Sequence, residues 1–285
     1  MRSRGQLCKS NSASIGAVRR EGMQIDTVVL AGYSPDRPDP LAAAMGVKRK
    51  ALIDIAGKPM IYWTVRALQA SERVGRLIIV GLGLEDGVDF ETDVEYIPNR
   101  GGQLDNVLAG TDAVAAAHPE QDVALLCGAD IPLITPRSIN WFVDASLEAD
   151  ADVCYAIVEK SVMDSQFPDS ARSFLPLMEG RFCGGDCFMV RPSVARNNQH
   201  LARQLLAERK HPLGLARAFG LSVLLKFLFH RLTVAEGEAV ASCLFGCRVR
   251  ALASPYADLA MDIDKPHQLE VARRVIAHRL AEGTL

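Results

Sequence analysis

Three charged residues that lie far apart in the chain, Lys50, Asp130 and Asp264, have the side-chain types needed to bind a phosphate group and a metal ion. A lysine supplies a compact positive charge for phosphate oxygens, and carboxylates are the hard oxygen ligands that Mg²⁺ prefers. Displacement at phosphorus depends mainly on positioning and on electrostatic stabilisation of the developing charge. The three residues could therefore serve one such reaction if the fold brings them together.

Asp130 lies just beyond an apolar run, Val123–Cys127, in the segment Gly128-Ala129-Asp130-Ile131-Pro132. The run predicts a buried strand, and ligands of open α/β sheets bind beyond the carboxyl ends of the strands. This position favours a metal-binding role for Asp130. The alternative is that Asp130 only caps the turn before Pro132.

The second acidic candidate lies in Met261-Asp262-Ile263-Asp264-Lys265-Pro266. Alternate residues of an extended segment face opposite sides, so only one of the two carboxylates is expected to share a metal with Asp130. The other could cap the helix predicted to begin at Pro266, and Asp264 is also well placed for that role.

Near the start of the chain, a strand-like run enters a turn of small residues at Leu30-Ala31-Gly32, and a polar loop then leads to Lys50 and Gly57-Lys58-Pro59. This layout indicates a nucleoside triphosphate pocket at the carboxyl end of the first strand of an α/β sheet. Lys50 is the candidate for stabilising phosphate charge. Its neighbours Lys48 and Arg49 are expected to be solvated loop residues, and Lys58 to lie on the surface.

A glycine turn, Gly101-Gly102-Gln103, begins a predicted helix after the third predicted strand. Its backbone N–H groups could meet a base or a phosphate, and the Gln103 amide could contact the edge of a base. Glycine turns before helices are common, so this motif alone is a weak indication of a base site.

Strand-like and helix-like segments alternate along the chain, which predicts an α/β fold. We expect a Rossmann-like, mostly parallel sheet with helices on both faces and a helical C-terminal extension. The predicted strands are Ile25–Ala31, Leu77–Val80, Val94–Ile97, Val123–Cys127, Val153–Val158, Phe182–Val190 and Val249–Ala253. The predicted helices are Pro59–Ala70, Gln103–Ala117, Pro136–Leu147, Ser193–Arg209 and Pro266–Leu280.

Residues 1–22 are polar and basic without an apolar period, so we expect a disordered tail or a start site upstream of a true Met23. Residues 23–285 are expected to form one domain with a helical insertion at about 193–247. Within the insertion, Leu213–Leu232 is apolar but too interrupted by charges for a membrane span. We expect this segment to close the pocket or to form the face of a homodimer; the alternative is an amphipathic helix on a lipid surface.

The net charge of −2 over 285 residues gives no reason to expect a nucleic-acid or anionic-membrane surface. The seven cysteines are scattered, and several lie in apolar runs, which indicates reduced thiols in a cytoplasmic protein. Cys183, Cys187, Cys243 and Cys247 have no partner at zinc-finger spacing, so we expect them to be core thiols. There is no secretory leader and no transmembrane segment in this interpretation.

Taken in order, these motifs resemble the GT-A-type nucleotidyltransferase superfamily, in the branch that includes molybdenum-cofactor guanylyltransferase-like and sugar-phosphate nucleotidylyltransferase proteins (MobA-like NTP transferases). Leu30-Ala31-Gly32 is similar to that family's Leu-Ala-Gly-Gly turn, and Lys50 with Ala56–Met60 is similar to its lysine and Gly-Lys/Arg-Pro-Met/Leu helix start. The other matching segments are Gly101–Gly110, Gly128–Ile134 and Asp262–Leu269.

The resemblance implies a Rossmann-like sheet that binds an NTP beside Mg²⁺. It further implies that a phosphorylated small-molecule acceptor attacks the α-phosphorus and that pyrophosphate leaves. By this resemblance, Lys50 stabilises the developing charge, Asp130 and Asp264 hold the metal, and Gly128 belongs to the Gly-Asp-x-Pro-Leu metal motif. Gly101, Gly102 and Gln103 would belong to the base-binding segment.

The sequence departs from the family pattern in the phosphate loop. Tyr33 replaces the second glycine of the turn, and Ser34–Pro40 replaces the usual Gly-x-Gly-x-Arg loop, with Arg37 as the candidate for its arginine. Two alternatives stay open at this point. One is a GT-A glycosyltransferase that uses a nucleotide sugar, and the other is a non-catalytic nucleotide-binding module, which the altered loop would favour.

Overall fold

The computed structural model describes residues 22–34, 36–208 and 221–284, and its secondary structure follows the predicted alternation closely. The strands are β1 (Ile25–Leu30), β2 (Asp54–Ile55), β3 (Lys58–Pro59), β4 (Val74–Val80), β5 (Glu95–Ile97), β6 (Ala124–Gly128), β7 (Val153–Glu159), β8 (Leu175–Leu177), β9 (Gly180–Val190) and β10 (Val249–Ser254). The helices are α1 (Pro40–Ala44), α2 (Met60–Gln69), α3 (Gln103–Ala117), α4 (Pro136–Ala149), α5 (Lys160–Gln166), α6 (Pro192–Asn197), α7 (Gln199–Glu208), α8 (Leu221–Leu228), α9 (Val234–Phe245) and α10 (Pro266–Glu282).

Seven strands form the central sheet in the order β10-β7-β9-β6-β1-β4-β5, and β8 pairs with β9 at one side. The pairs β1–β4, β1–β6, β4–β5 and β7–β10 are parallel. Strand β9 runs antiparallel between β6 and β7. The sheet is therefore mostly parallel, which confirms the predicted fold class.

Both faces of the sheet are covered by apolar packing. Val29 on β1 lies in a large core cluster together with residues of α2, α4 and α10. The neighbouring residue Val28 points to the opposite face, into a smaller cluster that includes Val114 of α3. Strands buried on both faces read as continuous apolar runs, which is why the sequence predicted β1 and β6 well.

Strand β9 is irregular where it pairs with β7. Its register with β7 shifts between Tyr155 and Ile157. Gly185 lies at this point, where a Cβ atom would come within 2.8 Å of the Leu259 carbonyl oxygen. The glycine therefore allows the turn that contains Leu259 to pack directly against the strand.

The helical insertion differs from the prediction. The single helix expected at Ser193–Arg209 is two helices, α6 and α7, because the Asn198 side chain donates to the Val194 carbonyl at 3.1 Å and the chain turns there. Arg209 and much of Leu213–Leu232 lie outside the described residues. Helix α9 lies within the predicted helical insertion, but its bounds were not predicted, although Thr233 and Glu236 form a capping box at its start.

The expectation of core thiols is confirmed for some cysteines and wrong for others. Cys127, Cys154, Cys183 and Cys187 are buried in the sheet. Cys243 is exposed and Cys247 is only partly buried, because α9 packs at the outer edge of the sheet beside β10. Among the described residues, no helix is both long and apolar enough to cross a membrane.

Candidate active site

The structure brings Lys50, Asp130 and Asp264 together at the carboxyl end of β6. The Lys50 ammonium nitrogen Nζ lies 2.6 Å from Asp130 Oδ2 and also contacts Asp264 Oδ1. Lys50 begins a short 3₁₀ turn, and Asp264 lies just before α10. The Ile263 N–H donates to the Asp130 carbonyl at 3.0 Å, which fixes the two acidic segments side by side.

The charges of this cluster are strongly coupled. Burial alone would lower the pKa of Lys50, but the adjacent carboxylates of Asp130 and Asp264 outweigh burial and hold its pKa above the ordinary value. The lysine is therefore a permanent cation held between two carboxylates. It is mostly buried, whereas the Asp264 side chain is 56% exposed and forms the open side of the cluster.

A third carboxylate, Asp186 on β9, stands next to this cluster and was missed in the sequence. Burial, followed by the negative charge of Asp130, raises the pKa of Asp186 to about 7. Its Oδ2 atom is buried and has no hydrogen-bond partner among the described residues. The available signal was an aspartate within an otherwise apolar strand, a position that charged residues rarely occupy without a function or a partner.

The donor set fits a hard divalent cation. Asp130 and Asp264 supply carboxylate oxygens, and the buried, unpartnered oxygen of Asp186 is nearby. In the described ranges, no three or more His, Cys, Asp or Glu side chains are already arranged around a common ion position. Mg²⁺ needs no such cage, because it usually takes one or two carboxylates and completes its shell with water and phosphate oxygens.

A cavity of about 380 Å³ opens beside Lys50 and Asp130. It lies between the end of β1, the loop that leads to α1, and the Lys50 turn. Its lining residues are Leu30, Ala31, Gly32, Tyr33, Ser34, Arg37, Pro38, Asp39, Pro40, Lys48, Arg49, Lys50, Ala51, Ala129 and Asp130. The cavity thus contains four basic side chains within a short stretch of chain, which suits a polyanionic group.

A buried amide network holds the glycine turn in place. Asn106 in α3 accepts from the Arg100 N–H at 2.7 Å and donates to Asn99 Oδ1 at 3.0 Å. Asn99 in turn donates to the Tyr33 carbonyl at 2.8 Å. Only a glycine fits at position 32, because a Cβ atom there would lie 2.0 Å from Asn106 Nδ2.

Tyr33, which replaces the second glycine of the family turn, is packed under an arginine. The Arg49 guanidinium carbon lies 4.6 Å from the centre of the Tyr33 ring, and Arg49 also pairs with Asp86. The expectation of a solvated Arg49 was therefore wrong. The three side chains connect the phosphate loop to the segment after β4, and the sequence gave no indication of this connection.

Arg37 and Lys48 lie on the cavity wall with exposed side chains. Asp39, beside them, is used structurally, because its Oδ1 accepts from the Ala42 N–H at 2.9 Å and caps α1. Lys58 is a surface residue as expected, and it pairs with Glu91 at 3.3 Å.

Gly101, Gly102 and Gln103 are not among the described residues that line the cavity. Gly102 is the N-cap residue of α3, and Gly101 has a positive φ of 85° that favours glycine. The Gly102 carbonyl accepts from the Asn106 N–H at 2.9 Å. This segment is therefore linked to Gly32 through Asn106.

The remaining members of the two acidic motifs have structural roles. Asp262 pairs with Arg172 and points away from Lys50, as the alternation predicted. The start of α10 is satisfied by Gln268, whose Oε1 accepts from the Asp264 and Lys265 N–H groups at 2.9 Å. The Gln268 side chain, and not that of Asp264, therefore caps this helix. Gly128 ends β6 between Asp130 and Asp186, and a Cβ atom there would lie 2.6 Å from Asp130 Oδ1.

The sheet is mostly parallel, a basic cavity lies beyond the end of β1, and the lysine–carboxylate cluster lies beyond the end of β6. This is the arrangement of a nucleotidyltransferase. Comparison with known proteins agrees with this class. The chain belongs to the family of MobA-like NTP transferase domains, because a model of that family matches residues 28–242. Membership favours the nucleotidyltransferase interpretation over a glycosyltransferase or a non-catalytic module.

Solved structures show the same fold. A structure described as a hypothetical transferase from Thermus thermophilus is 34% identical, with a TM-score of 0.76, over 87% of this chain and 100% of that chain. The CMP:2-keto-3-deoxy-manno-octonic acid synthetase in complex with CTP is 16% identical, with a TM-score of 0.57, over 90% and 99% of the two chains.

A third similar structure is the 4-diphosphocytidyl-2C-methyl-D-erythritol synthase from Anaerococcus prevotii. It is 10% identical, with a TM-score of 0.54, over 90% of this chain and 97% of that chain. At this identity, and at that of the synthetase, the likeness shows the fold alone. No curated protein matches the chain.

Proposed function

We propose that the protein is a Mg²⁺-dependent nucleotidyltransferase that transfers a nucleoside monophosphate from an NTP to a phosphorylated small-molecule acceptor. An oxygen of the acceptor phosphate bonds to the α-phosphorus, the bond from the α-phosphorus to the bridging oxygen breaks, and pyrophosphate leaves. The reaction is a substitution, so it needs no oxidant or reductant.

The observation that carries this proposal is the meeting of Lys50, Asp130 and Asp264 beside the cavity. Lys50 and Asp264 are separated by 214 positions in the sequence, yet they are in contact. Such convergence of opposite charges at the ligand-binding edge of an α/β sheet is expected of a site where phosphate charge is neutralised.

The cavity supports a triphosphate in the same place. Arg37 and Lys48 are exposed on its wall, and Arg49 is held over Tyr33. We assign Arg37 and Lys48 to the β- and γ-phosphates, because both can move to meet a ligand. Arg49 is already committed to Asp86 and is assigned to holding the loop in shape.

Asp130 and Asp264 would hold the metal, and Asp186 stands within reach of the same region. The bound cation would supply positive charge to the phosphate oxygens. Lys50 would then give up its carboxylate partners, and its ammonium group would donate to the α-phosphate as negative charge develops there. The glycine turn at Gly32 leaves backbone room for the nucleotide.

The segment that opens α3, Gly101 to Gln103, is proposed to contact the base, as its link to Gly32 through Asn106 supports. Two similar structures are named for cytidylyl transfer, so CTP is the first nucleotide to test. We further propose that residues 23–285 act as one domain in the cytoplasm and that the 193–247 region contributes to a homodimer.

The first test is a thermal-shift screen of ATP, GTP, CTP and UTP with Mg²⁺, because a ligand that binds the folded state raises its melting temperature. Pyrophosphate release is then measured with the stabilising NTP and a panel of sugar and polyol phosphates. Asp130→Ala should abolish metal-dependent release while leaving the fold intact. Asp169→Ala, which removes a carboxylate from an exposed pair with Arg274, is the matched control.

Unchanged release in the Asp130 variant would overturn the assigned role of that residue. Absence of any stabilisation by the four NTPs would overturn the proposed function itself. Chelation of the metal should stop release in the wild-type protein, and added Mg²⁺ should restore it.

A further inference from the structure

A second cavity, of about 520 Å³, lies between α2, the segment that follows Asp130 and the C-terminal end of α10. We call it the helix cavity. It is larger than the cavity of about 380 Å³ beside Lys50, and none of the described residues lines both cavities. Cavities that bind small molecules are commonly of this size. The helix cavity therefore has room for a ligand that the proposed nucleotide site does not use.

The apolar wall of the helix cavity is aromatic. Tyr62 and Trp63 of α2 meet edge to face with ring centroids 5.2 Å apart, and Phe90 from the loop after β4 is the third ring on the wall. Trp63 Nε1 already donates to the Ile55 carbonyl at 2.9 Å, so the indole has no polar atom left to bind. Ala70, on the same helix, contributes only a methyl group and leaves the space in front of the rings open.

Arg279 of α10 brings a positive charge to this wall. Its Nη1 atom donates to the Leu133 carbonyl at 2.9 Å. Its other N–H groups have no hydrogen-bond partner within the described ranges, yet they are not among the fully buried polar atoms, so a ligand in the cavity can reach them. Burial lowers the pKa of Arg279, although the charge of Asp258 opposes this effect. An anion in the cavity would replace the hydration that the guanidinium has lost.

The charges on the wall match a monoanion. Arg66 of α2 is the second cation, and its Nη1 atom donates to the Tyr62 hydroxyl at 3.4 Å. Glu91 also lines the cavity, where it accepts from the same hydroxyl at 3.1 Å and pairs with Lys58. Two guanidiniums and one carboxylate leave an excess of one positive charge among the described lining residues. This excess suits a carboxylate, whose two oxygens accept parallel N–H bonds, better than a dianionic phosphate.

The helix cavity adjoins both segments that carry the proposed metal ligands. Ile134, four residues beyond Asp130, is buried and lies on its wall. The bond from Arg279 to the Leu133 carbonyl ties α10 to this segment. Helix α10 itself begins two residues after Asp264. A ligand held by Arg279 therefore acts on the chain segments that position the two carboxylates.

We propose that the helix cavity is an effector site for a small carboxylic acid with a flat apolar body. The carboxylate accepts hydrogen bonds from Arg279 and Arg66, and the apolar body lies against the three rings. Arg279 keeps its bond to the Leu133 carbonyl and binds the acid through its other N–H groups, so that occupancy alters the nucleotide site through that segment. Binding of the acid is independent of the proposed function, whereas its effect on nucleotide binding rests on that function.

Four probes of similar size define the ligand. The first, 3-phenylpropionate, has a ring and a carboxylate, and L-phenylalanine adds an ammonium group, which separates a simple acid from an amino acid as the source. Phenyl phosphate carries a dianion and phenethylamine carries a cation. Each is titrated calorimetrically into the full-length protein without nucleotide. We expect one of the two carboxylates to bind at least about 10-fold more tightly than both phenyl phosphate and phenethylamine, because a hydrogen bond to a charged group contributes about this much.

Two variants then locate the bound acid. Arg279→Met should weaken its binding by about 10-fold, because a charge-assisted hydrogen bond is lost. Ala70→Phe places a ring in the space in front of the aromatic wall and should weaken binding without changing any charge. The matched control is Arg274→Met, which removes an exposed arginine of the same helix that pairs with Asp169, and it should bind the acid as the wild type does. Ala70 is exposed, so its variant tests the site even if Arg279→Met fails to fold.

The effect on the nucleotide site is measured by titrating the stabilising NTP with Mg²⁺ at saturating acid. The Kd of the nucleotide should change by at least about 3-fold, and the nucleotide should change the Kd of the acid by the same factor. An unchanged nucleotide Kd would overturn the effector role.

Failure of both carboxylates to bind more tightly than phenethylamine and phenyl phosphate would overturn the site itself. So would unchanged binding of the acid in Ala70→Phe or in a folded Arg279→Met protein, because the acid would then lie elsewhere, for example beside Lys50. If the wild-type protein binds no NTP, the proposed function fails, whereas the titrations without nucleotide still decide whether the helix cavity binds the acid.

Discussion

Lys50 has two partners where a metal ion is proposed to bind. Its ammonium group neutralises Asp130 and Asp264, and burial of the group strengthens this attraction. The lysine and a divalent cation would therefore compete for the same carboxylates. In the structure the lysine occupies this place, so binding of the proposed cation would include the cost of separating the lysine from its partners.

Replacing Lys50 with methionine should affect metal binding and turnover in opposite directions. Metal binding, measured with Mn²⁺ by electron paramagnetic resonance without nucleotide, should become tighter because the competing charge is gone. Turnover should fall by roughly 10²–10³-fold, because one donor to the transition state is lost. Weaker Mn²⁺ binding in Lys50→Met would show that the lysine does not compete with the cation. Lys58→Met is the control for loss of a surface lysine.

Gly32 and Asn106 should act as one unit. Gly32→Ala places a Cβ atom against the Asn106 amide, so we expect lower stability and weaker NTP binding. Combining it with Asn106→Ala removes the clash, and the two changes together should cost less free energy of unfolding than the sum of their separate costs. Urea unfolding of the four proteins measures this coupling. Strictly additive costs would contradict the contact.

At the scale of elements, two helical glycines differ in their surroundings: one is required by close packing and the other is not. Gly110 lies in α3 where it crosses β1, and a Cβ atom there would come within 2.3 Å of Val28 Cγ1. Gly237 lies in α9, and no described atom is within 4 Å of its Cβ position. The first glycine permits close packing of helix on sheet, whereas the second has no packing reason.

Alanine substitutions should separate these two roles. Gly237→Ala should raise the free energy of unfolding by about 0.5–1 kcal/mol, because alanine loses less backbone entropy in a helix. Gly110→Ala should lower it by about 1–3 kcal/mol, because the added methyl group overpacks the helix–sheet contact. Denaturant titration of both variants measures the difference, and a gain in stability for Gly110→Ala would contradict the packing described.

Local patterning accounts for what the sequence predicted correctly. Buried strands such as β1 and β6 are apolar runs, and α3 begins at the glycine turn where it was expected. The break at Asn198 depends on one side-chain hydrogen bond, and the partners of Arg49 come from Tyr33 and Asp86 in other segments. Such contacts depend on tertiary structure, so the helix break and the Tyr33–Arg49 contact could not be predicted from spacing.

The same distinction applies to the site. Lys50, Asp130 and Asp264 were predicted from strand ends and from the family resemblance, and the structure brings them together. Asp186 was not singled out, because its importance depends on its position beside Gly128 and Asp130, which only the pairing of β9 with β6 creates. The catalytic and metal-binding roles of Lys50, Asp130, Asp264 and Asp186 remain predictions that the experiments above test.

For the whole molecule, Asp258 connects segments that are distant in the chain. It lies in the 3₁₀ turn Ala257–Ala260, and its Oδ2 accepts from the Thr135 hydroxyl at 2.9 Å at the start of α4. The guanidinium of Arg279 in α10 is also close enough to act on its charge. Burial raises the pKa of Asp258, although hydrogen bonds from the Thr135 and Ser138 side chains and the charge of Arg279 oppose the rise.

This pKa shift makes overall stability dependent on pH. The unfolded chain releases the Asp258 proton near pH 4, whereas the folded protein keeps it to higher pH. Stability therefore falls as the pH rises from about 4 to the folded pKa and is flat above it. Asp258→Asn removes this loss. The free energy of unfolding of the variant should therefore increase relative to that of the wild type as the pH rises from 4. Urea titrations from pH 4 to 8 test this, with Asp169→Asn as the exposed control, and parallel profiles for wild type and Asp258→Asn would contradict it.

The contact between Lys50 and Asp264 has a consequence for biosynthesis. A ribosome must add 214 residues after the lysine before its second acidic partner exists, which takes about 10 to 40 seconds at ordinary translation speeds. Throughout that interval the nascent polypeptide already carries the glycine turn and its basic wall. A message cut short before codon 264 would thus yield a product that lacks Asp264 and also the α10 residues that pack in the large core cluster.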